Sequence, residues 1–205
     1  MGLVVAVGAL SQLALTLRAR SLPRLDDTTS EPPLGVLQDL RTAIGVAVAF
    51  LLGVASLGLY TYLLPMAETA GLGDWGFALV WAWGIGGVAG SALIGRPLDR
   101  LGATPFLIAL PTVLALSFAV LWLTAWPITW LIAAAMWGAA GWASVPTLQK
   151  ALTQDRPTRA MTIVAFQMAA MYLGSAAGAA VGSSLLANGA SSSDLPASTV
   201  KPRVL

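Results

Sequence analysis

The stretch Gly95-Arg96-Pro97-Leu98-Asp99-Arg100-Leu101-Gly102 places three charges and a proline between two long apolar runs. Residues 75–95 contain no charged side chain, and after Arg100 no charge occurs until Lys150. Uncharged runs of this length are typical of membrane-spanning helices, which need about 20 apolar residues. The stretch therefore predicts a tight polar turn between two membrane spans, lying at the membrane surface.

The composition of the whole chain agrees with a membrane location. Hydrophobic residues make up 57% of the chain and charged residues 10%, against about 25% charged residues in soluble domains. The net charge is +2 and the basic residues are dispersed in short loops, which argues against nucleic-acid binding. Because the chain has neither cysteine nor histidine, it lacks thiolate ligands and the commonest general base. We therefore expect no enzyme activity, no cofactor and no metal.

The same apolar pattern predicts an all-α integral membrane protein with six spans. Trp126-Pro127 divides the run that follows Gly102, because that run is too long for one helix. The segment after the first span is polar and contains prolines, and the last residues are too polar to cross a membrane. The expected boundaries are spans at about 2–17, 42–67, 75–95, 103–125, 127–149 and 160–187, a linker at 18–41 and a tail at 188–205.

The basic residues between these spans fall on one side of the membrane. The loops after spans one, three and five hold nine lysines and arginines, and the loops after spans two and four hold none. Since positive charges collect in cytoplasmic loops, the turn at 95–102 is expected to be cytoplasmic and both chain ends exterior. The nine residues are Arg18, Arg20, Arg24, Arg41, Arg96, Arg100, Lys150, Arg156 and Arg159.

These motifs carry a resemblance to a known family. The pattern Gly95-x-x-x-Asp99-Arg100-x-Gly102 resembles the cytoplasmic-loop signature of the major facilitator superfamily. Together with Tyr60-Thr61-Tyr62-Leu63-Leu64-Pro65, Val145-Pro146-Thr147-Leu148-Gln149 and a glycine-rich last span, it is similar to the C-terminal half of bacterial efflux transporters of the drug and sugar antiporter type. The resemblance covers residues 1–187. It implies the C-terminal-half bundle of a twelve-helix fold, with span one as the sixth helix and spans two to six as the seventh to eleventh.

The resemblance also implies a function and its partners. A multi-pass protein of the bacterial plasma (inner) membrane is expected to export a small organic molecule in exchange for protons, with the lipid bilayer, that substrate and, in the full-length context, protons as its partners. The chain lacks counterparts of five helices before it and one after it, so we expect a fragment that does not transport alone. The alternative is a truncated or structural membrane protein that transports nothing.

The signature stretch supplies the first group of candidate site residues, Gly95, Asp99, Arg100 and Gly102. The resemblance implies that Asp99 faces a helix N-terminus in the opposite half and stabilises one conformational state; the alternative is a solvated turn. Arg100 either pairs with Asp99 or lipid headgroups, or acts only as a determinant of topology. The stretch continues as Ala103-Thr104, where the family usually has another basic residue.

Two further groups of candidates lie inside the spans. A glutamine in the last span contacts either the substrate or a neighbouring helix, and several aromatic and methionine residues lie on spans that line the cavity in relatives. Glycines four residues apart on one helix face let neighbouring helices approach closely. The alternative is that these glycines act as hinges during transport. The cavity candidates are Tyr60, Trp137, Gln167, Met171 and Tyr172, and the packing candidates are Gly86, Gly90, Gly174, Gly178 and Gly182. No span has an ionisable residue at its centre, so the proton-coupling residues are expected elsewhere.

Overall fold

The computed structural model describes residues 33–188, and every regular element in this part of the chain is helical. The expected first span at 2–17, most of the linker and nearly all of the tail lie outside these residues. The α-helices are α1 (Leu40–Leu52), α2 (Leu63–Thr69), α3 (Gly76–Leu93), α4 (Gly95–Leu101), α5 (Thr104–Leu123), α6 (Pro127–Thr153) and α7 (Ala160–Ala187). Short 3-10 helices occur at Pro33–Gln38, Gly73–Trp75 and Pro157–Arg159, and a π-helix at Gly53–Gly58.

Five helical stretches among the described residues are long and apolar enough to cross a membrane. They combine the α-helices with the short helices that continue them, and their charged residues lie only near the ends. The all-α membrane fold predicted from the sequence is confirmed. The stretches are Leu40–Gly58, Gly73–Leu93, Thr104–Leu123, Pro127–Thr153 and Pro157–Ala187.

Local sequence explains where these helices begin. Asp39 caps α1, because its carboxylate accepts a hydrogen bond of 2.8 Å from the backbone N–H of Thr42. Pro127 opens α6 directly after Trp126, whose backbone is extended. A proline at the first helical position needs no hydrogen-bond acceptor for its nitrogen, so the break expected at Trp126-Pro127 has a plain physical cause.

The segment expected as one span at 42–67 is divided in the structure. It runs as α1, continues as the π-helix Gly53–Gly58, leaves helical geometry around Tyr62 and resumes as α2. The Tyr62 hydroxyl donates a hydrogen bond to the backbone carbonyl of Ala179 on α7, and the ring covers Gly182. This tertiary contact lies at the break, and Pro65 in the first turn of α2 favours it, because proline cannot donate to the carbonyl of Thr61.

The signature stretch 95–102 is a short helix, where the sequence predicts a tight turn. Pro97 lies in the first turn of α4, where a missing N–H costs no hydrogen bond. Leu98 is buried beneath the helix, and Gly102 ends it with a φ of 76°. A left-handed backbone of this kind favours glycine, so Gly102 lets the chain leave α4 and begin α5 two residues later.

Two close helix crossings form the centre of the bundle. Where α1 and its π-helix cross α7, a Cβ on Gly53 would overlap the carbonyl oxygen of Met171, and one on Gly174 would overlap that of Phe50. Where α3 crosses α6, a Cβ on Gly90 would overlap the carbonyl oxygen of Ala139. Backbones can approach this closely only at glycine. Helix α5 packs against α6.

Candidate functional site

One end of the bundle, which we call the charged end, carries the ion pairs of the described residues. Both terminal guanidinium nitrogens of Arg156 donate to the carboxylate of Asp39, and Nη1 also donates to the Thr42 hydroxyl at 3.0 Å. These hydrogen bonds hold the pKa of Asp39 well below its usual range, and the same contact raises the pKa of Arg156. The start of α1 is thereby tied to the loop between α6 and α7.

A second ion pair repeats this connection beside the first. The guanidinium of Arg41 donates to the Asp155 carboxylate at 2.9 Å and to the backbone carbonyl of Ala151 at 2.7 Å. Both pairs join residues more than 100 positions apart in the sequence. From the sequence, Arg41 and Arg156 were assigned to topology only, because an ion pair between residues far apart in the chain leaves no local pattern.

A third ion pair holds the signature stretch. The Lys150 ammonium lies 2.7 Å from the Asp99 carboxylate and 3.1 Å from the Leu98 carbonyl oxygen. Lys150 is in the last turn of α6, so the observed partner of Asp99 belongs to the same bundle. Within residues 33–188, Asp99 is paired with Lys150 and not with Arg100. Gly95 begins α4 and Gly102 ends it, with open space around both.

A cluster of aromatic rings fills the middle of the bundle. Tyr60 and Trp83 stack with their ring centroids 4.0 Å apart, and Trp137 meets the edges of both at 6.3 and 6.4 Å. Trp137 is buried, and its indole N–H donates to the Ser56 hydroxyl on the π-helix at 2.9 Å. Phe118 contacts Trp137 from α5 with a centroid distance of 5.2 Å. The rings therefore support one another across four helical segments.

The exposed side of this cluster borders a groove of about 720 Å³, which we call the aromatic groove. Tyr60 forms one wall, and the other residues come from the face of α3 between Val80 and Leu93, including Trp81 and Trp83. No charged residue lines the groove. The indole nitrogen of Trp83 is buried and has no hydrogen-bond acceptor among residues 33–188.

The five cavity candidates from the sequence do not meet in one place. Tyr60 lines the aromatic groove and Trp137 lies directly behind it. Met171 borders a separate gap between α1, α6 and α7 that has room for no more than one water molecule. Gln167 is 1% exposed; its amide donates to the Val145 carbonyl at 3.4 Å, and its side-chain oxygen has no partner among the described residues. Tyr172 is 58% exposed on the outer face of α7.

Trp81 and Trp83 were not among the candidates predicted from the sequence. Both lie in the span expected at 75–95, but tryptophans are frequent in this chain, with eight in 205 residues. What distinguishes Trp83 is its stacking on Tyr60, a residue 23 positions earlier on another helix. An aromatic residue at membrane depth in a neighbouring span is the only signal that could have suggested the pair.

The packing candidates lie at the two helix crossings. Gly86 and Gly90 face the backbone of α6 at Ala135 and Ala139, and Gly178 faces Val54 and Gly58. Gly174 faces Phe50, and Gly182 lies beneath the Tyr62 ring. Residues 33–188 contain no group of three or more Asp or Glu side chains placed to hold a metal ion.

Comparison with known proteins gives one match. The model of a family described as the Major Facilitator Superfamily matches residues 1–179. No curated protein and no solved structure matches the chain.

Proposed function

This chain belongs to the Major Facilitator Superfamily, whose members are multi-pass membrane transporters, and on that basis we propose that it exports a small organic molecule in exchange for protons. The family match over residues 1–179 is the observation that carries this proposal. In such transporters two helical bundles rock about a site between them, near the middle of the membrane. We propose that this chain supplies one bundle and one wall of that site.

The aromatic groove is the proposed substrate wall. Its volume of about 720 Å³ lies within the range of small-molecule sites, about 300 to 1,000 Å³. It opens at the surface of the bundle, where a second bundle could cover it, and Tyr60 and Trp83 line it. Of the other candidates, Trp137 supports these rings from behind, whereas Gln167 donates to the Val145 carbonyl of α6 and Met171 borders the gap between α1, α6 and α7.

The proton-carrying residues are assigned outside the described bundle. Proton-coupled transporters use ionisable side chains at membrane depth. Between residues 42 and 187, charged residues occur only at the ends of the spans and in the loops. We therefore propose that the protons cross on the second bundle, while this bundle contributes the substrate wall and the signature stretch.

Everted membrane vesicles test the proposal. The gene would be expressed from its native locus with its flanking sequence, and vesicles would be energised to acidify the interior. A panel of small organic compounds is then added while internal pH is followed with a fluorescent dye. We expect at least one compound to release protons in a saturable manner, because its uptake into everted vesicles corresponds to export from cells.

Vesicles from cells lacking the gene are the control. If no compound releases protons beyond that control, and none accumulates against its gradient, the export proposal fails. The alternative function then applies: a structural membrane protein that transports nothing and packs against other helices through its glycine faces.

A further inference from the structure

We propose that the half of the aromatic groove nearest the charged end binds an anionic phospholipid from the adjoining leaflet of the membrane. The acyl chain lies along α3, and the phosphate lies against Arg96 and Arg100 of α4. The assignment follows from two arginines without a carboxylate partner, an uncharged groove that continues to them on one helix face, and a groove length that matches one leaflet. It does not depend on the export of any molecule.

Arg96 and Arg100 carry positive charge that no carboxylate within residues 33–188 neutralises. The ion pairs of this part of the chain involve other basic residues. Asp99, which lies between the two arginines in the sequence, is paired with Lys150. Both arginines are exposed, and they are one turn apart on α4. Side chains at this spacing are neighbours on a helix surface, so both guanidinium groups can act on the same anion.

The groove continues to these arginines along one helix face. Helical hydrogen bonding passes through Ile94, whose N–H donates to the Gly90 carbonyl and whose carbonyl accepts from the Leu98 N–H. Residues at intervals of three and four positions therefore share a face from α3 into α4. On this face lie Ile85, Val88 and Ala92 of the groove, followed by Arg96 and Arg100. The face thus changes from apolar to cationic within a single turn.

The length of the groove beside the arginines matches one leaflet of a bilayer. Each residue of a helix adds about 1.5 Å, so the ten residues that separate Trp83 from Leu93 cover about 15 Å. Half of the hydrocarbon core is also about 15 Å thick. With its phosphate at α4, an acyl chain therefore ends beside Trp83. The stacked pair of Tyr60 and Trp83, assigned above to the substrate wall, lies at the end of the chain.

An anionic phospholipid is the occupant that satisfies both parts of this face. A zwitterionic headgroup carries its own cation, which offsets the attraction between its phosphate and the arginines. A soluble anion would leave the apolar part uncovered, and an uncharged helix would leave the arginines without a counter-ion. Arginine binds phosphate through parallel N–H donors, and each basic side chain near an anionic membrane surface adds a preference of roughly fivefold.

Quenching of tryptophan fluorescence by brominated lipids measures this preference. The 205-residue chain is placed in phosphatidylcholine vesicles that contain a variable fraction of phosphatidylglycerol, and bromine is carried on the acyl chains of one lipid or the other. Bromine quenches tryptophan at short range, and a chain in the groove ends near Trp81 and Trp83. We expect a saturable quenched component whose apparent affinity is about ten- to thirtyfold higher for phosphatidylglycerol than for phosphatidylcholine.

Substitutions of the arginines identify the headgroup contact. Arg96→Gln combined with Arg100→Gln should lower the preference to about one- to threefold, and each single substitution should lower it about fivefold. Arg96→Lys combined with Arg100→Lys keeps the charge and should retain a preference of at least about fivefold. Arg159→Gln is the matched control, because it removes one positive charge from the same end of the bundle but from the short helix before α7. It should keep the wild-type preference.

A substitution inside the groove tests the position of the acyl chain. Ala92 lines the groove one turn before Arg96 and is exposed. Ala92→Phe fills this space without changing any charge, so the saturable quenched component should disappear. If it persists, the chain does not lie in the groove and the assignment fails.

Three further results would overturn the site. They are equal quenching by the two lipids in the wild type, an unchanged preference in the double glutamine variant, and a loss in Arg159→Gln as large as that in Arg96→Gln. Displacement of phosphatidylglycerol by millimolar inorganic phosphate would assign the arginines to a soluble anion instead of a lipid. Since none of these measurements requires transport, their failure leaves the vesicle test of export unaffected.

Discussion

Asp99 is the residue whose expected and observed partners differ most. The family resemblance places it against a helix N-terminus in another bundle, whereas here it pairs with Lys150 of its own bundle. The side chains of Asp99 and Lys150 are 78% and 30% exposed. An exposed pair contributes only about 0 to 1 kcal/mol, so it can be exchanged for another partner when the bundles move. We propose that Asp99 alternates between these two partners.

This proposal predicts a transport defect without a folding defect for Asp99→Asn. The variant keeps the side-chain size but loses the charge that a helix N-terminus favours by about 0.3 to 2 kcal/mol. The conformational equilibrium should shift by about twofold to thirtyfold, and proton release in everted vesicles should fall while membrane expression is unchanged. The swapped variant Asp99→Lys with Lys150→Asp should stay impaired. Full transport by Asp99→Asn would mean that Asp99 makes no functional contact with a second bundle.

Asp39 and Arg156 predict a defined dependence of stability on pH. Their contact lowers the pKa of Asp39 in the folded state, so on acidification the unfolded state takes up the proton first. The stabilisation is therefore complete above the ordinary carboxylate pKa, about 4, and decreases as the pH falls below it. Asp39→Asn should have a lower thermal midpoint in detergent than the wild type at neutral pH.

The difference in midpoint between the wild type and Asp39→Asn should stay constant down to about pH 4 and shrink at more acidic pH. Asp74→Asn is a suitable control, because Asp74 is an exposed carboxylate at the opposite end of the spans. A difference that grows on acidification would contradict the assigned direction of the pKa change.

For single residues, the sequence indicated where charged and uncharged side chains lie. It did not indicate which residues on different helices contact each other. The absence of charge inside the spans was readable from the sequence. Tyr60, a cavity candidate, lies at the aromatic groove, and its contact with a substrate stays a prediction. Its partner Trp83 was not predicted, nor was the contact of Asp39 with Arg156, since each depends on how separate helices cross.

The helices themselves were predictable because their signals are local. An uncharged run, a proline at Pro127 and a glycine at Gly102 mark boundaries within a few residues of those observed. The break between α1 and α2 was not predicted, although Pro65, in the first turn of α2, lacks the N–H that a continuous helix would need. The hydrogen bond from Tyr62 to α7 accompanies this break and leaves no local pattern in the sequence.

The crossing of α3 and α6 allows a matched pair of glycine substitutions in one helix. A Cβ on Gly90 would overlap the Ala139 carbonyl oxygen, whereas a Cβ on Gly84 would meet nothing within 4 Å. Gly90→Ala should destabilise the bundle by about 1 to 3 kcal/mol, as overpacking usually does. Gly84→Ala should be neutral or stabilise it by up to about 1 kcal/mol, because alanine favours helix.

Unfolding of both variants in mixed detergent micelles measures this difference. Since each variant adds one methyl group to the same helix, changes in hydrophobicity or helix propensity cancel in the comparison. Equal stability of the two variants would mean that α3 and α6 are not held at the distance seen here.

For the whole molecule, the arrangement of charges predicts orientation. Nine basic residues in or beside the connections on one side predict that the charged end, with the signature stretch, faces the cytoplasm. The absence of native cysteine permits a clean test with single cysteines and an impermeant maleimide. Asp74→Cys should react in intact cells, and Arg96→Cys only after permeabilisation. Reaction of Arg96→Cys from outside would reject the six-span topology.

The uncharged interior of the described spans has an electrical consequence. A charge that moves through the membrane potential changes its energy by about 2.3 kcal/mol per 100 mV. This bundle has no charged side chain at membrane depth to move, so the voltage does no work on it as it rocks. If the exported molecule is neutral, all current in the transport cycle is carried by protons. The charge moved per exported molecule then equals the number of protons exchanged.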